Sequence, residues 1–203
     1  MTTRTFIAAI LMLLGAGLAA QAANPASDSP WMTTGEHTSQ PIGHYDFCQR
    51  HPAECRIRSR ASRPLALTPA IWQEIVTVND SVNTRIQPRT DMEVWGHEEY
   101  WEYPTTAGDC EDFALLKRRD LMTLGVPASA LLMTVVRQAN GEGHAVLTVR
   151  TDRGDFILDN LNRRVLSWNQ TPYSYIKRQS TTDTGSWVSI HDDRDILVGS
   201  IRQ

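Results

Sequence analysis

Residues 107–127 read AGDCEDFALLKRRDLMTLGVP, and the fold turns on how this stretch is read. Gly108 permits a tight turn, Asp109 can cap, and the residues that follow are good helix formers. Phe113, Leu116, Met122 and Leu124 line a buried face, Gly125 stands where a C-cap belongs, and Pro127 ends the helix. Cys110 therefore occupies the first turn of a helix. C-terminal to it the sequence predicts three strands, 131–138 (LLMTVVRQ), 144–151 (HAVLTVRT) and 155–159 (DFILD). Turns at Asn140-Gly141 and Arg153-Gly154 make them an antiparallel meander. N-terminal to it, Thr68-Pro69 reads as an N-cap followed by a first-turn proline. Ile71, Ile75, Val78 and Val82 recur at helical spacing, which predicts an amphipathic helix over residues 69–84. Residues 85–108 are looser and rich in aromatics, and the tail from 160 is mixed, with short apolar pieces at 165–168 and 187–190. Helix, loop, helix and then strands is the order of an α+β domain.

The composition narrows the function classes. A chain of 203 residues with 41% hydrophobic and 21% charged residues can bury a core, which excludes a wholly disordered chain. Twenty Lys plus Arg against 23 Asp plus Glu leave a formal charge of −3 with no basic run. Nucleic acid is excluded as a partner on this ground, because binding phosphates needs a concentrated positive patch.

Residues 1–22, MTTRTFIAAILMLLGAGLAAQA, read as a signal peptide. Arg4 is the positive n-region, Phe6 to Leu14 the apolar stretch, and Ala20-Gln21-Ala22 the cleavage site. As a membrane anchor the stretch is shorter than the roughly 20 residues a bilayer needs, and no later segment would span one. The mature chain is therefore expected outside the cytoplasm, where cysteines pair. Residues 23–65, with five prolines, read as an extended arm. Within it Cys48 and Cys55 are expected to form a local disulfide; a metal pair with His44 or His51 and two free thiols are the alternatives. Either pairing leaves Cys110 alone.

A thiolate nucleophile needs a lowered pKa, a base, and a group that orients the base. Cys110 at a helix N-terminus meets the positive end of the macrodipole. His144 opens the second strand beside Gly143, and Asp159 closes the third. A hairpin turning at Arg153-Gly154 brings His144 and Asp159 to the same end, where the carboxylate can fix the imidazole tautomer. On residue types alone an inert buried cysteine, an edge histidine and a turn aspartate remain open.

GDCEDFALLKRRDLMTLGVP, GHAVLTV and DFILDNL, in this order and spacing, resemble the bacterial transglutaminase-like cysteine proteinase family. Its LapG-type members are periplasmic proteases that release large biofilm adhesins from the cell surface. The resemblance runs from about residue 41 to 180. It implies a papain-like, transglutaminase-type core in residues 66–203, with the nucleophile helix packed on an antiparallel sheet. It also implies the assignment of Cys110 as nucleophile, His144 as general base and Asp159 as orienting carboxylate. The Cys110 backbone N–H is the natural oxyanion donor, with Trp95 or Trp101 as a second one or, alternatively, as core packing.

Asp109, Glu111 and Asp112 crowd Cys110. Acids at a helix start can simply cap it and answer its dipole, yet beside a thiolate they oppose its formation. The resemblance implies a calcium ion here, with Asp109, Glu111 and Asp112 as ligands. His97, within HEEYWE, reads as part of a solvated loop. The expected activity is a periplasmic, calcium-dependent cysteine endopeptidase acting on a protein substrate, with a surface adhesin as target and an inner-membrane receptor that sequesters the enzyme. A transglutaminase using the same triad and a silent binding protein on the same fold are the rivals.

Overall fold

The computed structural model describes residues 29–60 and 62–194, so the signal peptide read at 1–22 lies outside the described residues. The chain runs β1 (Thr33–Thr38), α1 (Ile42–Arg50), α2 (Pro69–Arg85), β2 (Gln87–Pro88), α3 (Asp91–Trp95), β3 (Ala107–Gly108) and α4 (Cys110–Thr123). It continues as β4 (Leu131–Arg137), β5 (Gly143–Thr151), β6 (Gly154–Leu158), β7 (Leu166–Ser167), β8 (Ser174–Gln179) and β9 (Trp187–His191). Seven strands form one antiparallel sheet in the order β1-β9-β8-β4-β5-β6-β7, and β2 pairs with β3 in parallel.

The expected α+β architecture is present, and α2 and α4 start at the predicted positions, α2 with its side-chain cap formed. The Thr68 hydroxyl accepts from the Ile71 N–H at 3.2 Å, and Pro69 takes the first helical position, where a missing N–H costs nothing. Beyond Leu124, Gly125 adopts φ +93°, the left-handed conformation that ends α4. The meander is also present, with a shifted register. Leu158 pairs with Leu147 rather than Val149, because the turn uses Asp152-Arg153 and not Arg153-Gly154.

Alternate residues of the meander divide the core. Met133, Leu147, Val149 and Leu158 join Ile75, Val82, Phe113 and Leu121 of α2 and α4 on one face. Val136, Val146 and Ile157 meet Met32, Trp168 and Tyr175 on the other. Helix α4 is buried on nearly all sides rather than along one stripe, since α2 and β5 enclose it. Its buried Arg118 donates from Nη1 to Glu54 at 2.9 Å and from Nε to the Leu131 carbonyl at 3.3 Å, while Nη2 has no partner.

Within the segment 23–65, the described residues depart from the extended arm expected of it. Residues Thr33–Thr38 form an edge strand on β9, and Ile42–Arg50 form a helix. The helix went unread because IGHYDFCQR has little apolar periodicity; Phe47 and His44 alone among its side chains are deeply buried. Burial of Phe47 contributes ~1.5–3 kcal/mol, and the Cys48–Cys55 disulfide, the Arg50 bond to the Trp101 carbonyl and the His44 contacts hold the helix with it. A disulfide joins Cys48 to Cys55, so the metal-pair and free-thiol alternatives are set aside. In the tail, β8 was missed, because SYIKRQ alternates too weakly to signal a strand.

Candidate active site

The buried helix α4 delivers Cys110 to the mouth of the β5 strand. The Ala145 N–H donates to Cys110 Sγ at 3.3 Å, so the sulfur sits against the first residues of β5, beside His144. His144 Nε2 lies 2.9 Å from Asp159 Oδ1, and both side chains are buried. The hairpin therefore joins His144 and Asp159, and the helix adds Cys110 to them. With Nε2 engaged by Asp159, Nδ1 is the imidazole nitrogen left to exchange a proton with a thiol.

Asp159 is tied on every side. The Leu161 N–H donates to Oδ1 at 2.9 Å, the Tyr173 hydroxyl donates to Oδ2 at 2.5 Å, and Asn83 Nδ2 donates to the Asp159 backbone carbonyl at 2.8 Å. Burial alone would raise the Asp159 pKa; the bonds and charge of His144, with the Tyr173 and Leu161 donors, outweigh it and hold the pKa below its ordinary value. Lys117, buried in α4, has its pKa brought down to about 7 by burial, an effect the Asp159 charge opposes.

Two hollows meet at Cys110 and His144. One, of about 330 Å³, runs past Arg89, Glu93, Gln138, Asn160 and Leu161. The other, of about 260 Å³, runs past Pro41, Glu99, Trp101, Glu111 and Val135. Gly143 borders both, and an added Cβ there would touch nothing within 4 Å, so the cleft wall is open at that point. A chain lying in both hollows would cross the sulfur. A larger hollow of about 400 Å³ under Trp72 and Phe156 lies away from Cys110 and contains none of these groups.

The acidic neighbours do more than cap a helix. Asp109 holds the N-cap position of α4, yet its carboxylate makes no cap hydrogen bond. The sequence reading of Asp109 as a cap is thus corrected: the side chain is turned toward other acids. Asp91, Asp109 and Asp112 can each bring a carboxylate oxygen within 4.8 Å of the others, and so can Asp109 and Glu111 together with Cys110 Sγ. One oxygen each of Asp91, Asp109 and Asp112 is buried without a hydrogen-bond partner. Orphaned buried oxygens are costly, and a hard cation satisfies several at once. The donor set is all oxygen apart from the thiol, which fits calcium.

Sequence reading missed Asp91. Its local signal was the capping box of Thr90 and Glu93, which starts α3 and puts Asp91 in the first turn. Only the pairing of Pro88 with Gly108 between β2 and β3 brings that turn beside Asp109. The Tyr100 N–H holds the other Asp91 oxygen, and the Glu102 N–H holds Asp112 Oδ1 at 2.8 Å. Gly108 is required here, since a Cβ would fall 2.5 Å from Asp112 Oδ2.

Crowding and burial shift these groups far. Burial, followed by the charge of Asp109, pushes Glu111 to about 9; burial pushes Asp112 to about 8 and Asp91 to about 6. Cys110 is pushed well above an ordinary thiol, first by burial and then by the Glu111 charge, and its S–H donates to Glu111 Oε2 at 3.1 Å. The lowering expected from the helix dipole is therefore overruled: with the acids uncompensated, Cys110 is a resting thiol.

Of the tryptophans, Trp101 is buried in the core and edges the second hollow, with its indole N–H unpartnered, whereas Trp95 is exposed and its ring lies tilted against that of Tyr100. His97 sits in an exposed loop with its ring 6.1 Å from that of Tyr100.

A buried imidazole–carboxylate pair beside a helix-borne cysteine is what an acyl-transferring cysteine enzyme needs. The profile of the bacterial transglutaminase-like cysteine proteinases matches residues 34–195. The chain belongs to this family. It is a transglutaminase-like cysteine peptidase, and its fold agrees. LapG of Legionella pneumophila shares 26% identity at a TM-score of 0.51, over 61% of this chain and 71% of that one. A calcium-bound structure of that LapG matches at 24% identity and a TM-score of 0.52, over 65% and 77% of the two chains. An EGTA-treated one matches at 24% and 0.51, over 66% and 77%. No curated protein sequence matches the chain.

Proposed function

We propose that this peptidase is an exported, periplasmic endopeptidase that cuts a protein substrate, a large surface adhesin, by means of Cys110, His144 and Asp159. The observation that carries the chemistry is the buried 2.9 Å contact of His144 with Asp159, at the point where two hollows meet over Cys110. His144 Nδ1 takes the thiol proton, and the sulfur attacks the scissile carbonyl carbon. The Cys110 backbone N–H, at the free start of α4, faces the oxyanion. The imidazolium then gives its proton to the leaving amine, and a water deprotonated by His144 cleaves the thioester. Asp159 keeps the ring in one tautomer and stabilises its charged form throughout.

Asp91, Asp109, Glu111 and Asp112 would hold calcium. The bound ion supplies positive charge against which these carboxylates ionise without opposing the Cys110 thiolate. This reading is supported by the orphaned oxygens and by the calcium-bound state of the Legionella LapG structure. Export rests on the leader at 1–22. Among the described residues no helix is long and apolar enough to cross a membrane. An inner-membrane receptor that sequesters the enzyme completes the reading by resemblance to the LapG-type members.

Envelope proteins from cells carrying the wild-type chain or Cys110→Ala, each with calcium or a chelator, test this reading. New N-termini in a large surface protein, present only with the wild type and calcium, are expected. Calcium-independent cuts would remove the metal from the reading. Amine incorporation without new N-termini would replace hydrolysis by transamidation.

A further inference from the structure

Tyr173 stands outside every motif that points to the site. It lies in the connection between β7 and β8, 6% exposed, fourteen residues past Asp159. Its hydroxyl donates to Asp159 Oδ2 at 2.5 Å, and its ring lies 5.4 Å from the His144 ring at an angle of 59°. It thus touches both members of the imidazole–carboxylate pair.

We propose that Tyr173 is a positioning residue for catalysis, which locks the Asp159 carboxylate so that Oδ1 stays aimed at His144 Nε2. The inference rests on the peptidase reading above. A carboxylate turns easily about its last torsion, which is broad and roughly two-fold. The two donors on Oδ1, His144 and the Leu161 N–H, do not by themselves stop that rotation. A donor on Oδ2 does, because any turn of the group then breaks a bond on each oxygen. The Tyr173 ring, packed on the imidazole, limits the swing of His144 in turn. Burial and the Asp159 charge push the phenol pKa up, so the hydroxyl keeps its proton and remains a donor. An Asp159 free to rotate would leave the imidazole able to take the wrong tautomer, with its proton facing the sulfur.

The test uses Tyr173→Phe, Asp159→Asn, the double variant and Cys110→Ser, with p-nitrophenyl acetate as the acyl donor and calcium present. In that reaction the Cys110 sulfur bonds the acetyl carbon as p-nitrophenolate leaves, and water then releases acetate with its proton passing to His144. In Tyr173→Phe, kcat is expected to fall about tenfold with KM within about twofold, the loss of one hydrogen bond to a charged group. The double variant is expected to be no slower than Asp159→Asn, since Tyr173 acts through Asp159. A merely structural role predicts a lower melting temperature and losses that multiply. An unchanged kcat, or multiplying losses, overturns the inference while Cys110-dependent turnover upholds the peptidase reading. Turnover that survives Cys110→Ser overturns both.

Discussion

Two polar clusters of the described residues, one beside α1 and one at the start of α4, have been finished in different ways. His44, Cys48 and Cys55 bring three metal-binding atoms within 4.8 Å, as do Asp91, Asp109 and Asp112. In the first cluster the sulfurs are bonded to each other. The Trp187 indole N–H donates to His44 Nδ1 at 3.2 Å, and Gln179 Nε2 lies 3.1 Å from His44 Nε2. Burial, with the Arg118 charge, brings the His44 pKa down to about 4, so the ring stays neutral. In the second cluster three carboxylate oxygens have no partner and the pKa values climb. A polar cluster that satisfies itself stabilises a fold, and one left unsatisfied destabilises it until a ligand arrives.

Four measurements can break or sharpen that contrast. The largest effect belongs to the chemistry the acid cluster surrounds. If Cys110 is the nucleophile proposed above, Cys110→Ser is expected to lower acyl turnover by at least ~10³-fold while leaving the melting temperature within a few degrees. Retained turnover would detach the acids from any catalytic role.

Next is His44→Ala, which removes a ring packed against Trp101 and Trp187 and leaves their polar neighbours unpaired. Its expected cost is ~2–4 kcal/mol in chemical denaturation, with the calcium dependence of activity unchanged. A variant that kept its stability and lost its calcium response would merge the two clusters into one system.

The third concerns pH. Unfolded, Asp91, Asp112 and Glu111 lose their protons near 4; folded and without calcium, they hold them to about 6, 8 and 9. Between those limits the folded state binds more protons, so stability falls as pH rises, by at most about 1.4 kcal/mol per pH unit for each proton. Melting curves from pH 5 to 8 in chelator should show that fall, and saturating calcium should flatten it. A chelated protein whose stability rose with pH would refute the account.

The smallest effect is expected from Asp91→Asn, which keeps the shape and drops one charge. Calcium affinity by calorimetry should weaken about tenfold, and the calcium-free protein should melt slightly higher. Unaltered affinity would confine the ion to Asp109, Glu111 and Asp112.

The same contrast explains how much could be read in advance. The start and end of α4, the α2 cap and the three strands of the meander were legible because each depends on neighbours a few residues apart. Helix α1 and strand β8 were not, since their apolar pattern is weak and tertiary contacts hold them. In the site, Cys110, His144 and Asp159 stood out by residue type and position. Asp91 and Tyr173 did not, because nothing local separates them from any turn aspartate or core tyrosine.

By itself the sequence determined the α+β order, the place of Cys110 on a helix start, and the pairing of His144 with Asp159 across one hairpin. These follow from periodicity, caps and turns, which act over short spans of chain. Tertiary structure alone set the surroundings that push the Cys110 thiol up. A helix dipole argues for a thiolate, but burial and the proximity of Glu111 argue more strongly against it, and both depend on how distant segments close around the sulfur. The β2–β3 pairing that carries Asp91 to Asp109, and the return of the chain that sets Tyr173 on Asp159, are likewise contacts between segments that no local pattern encodes.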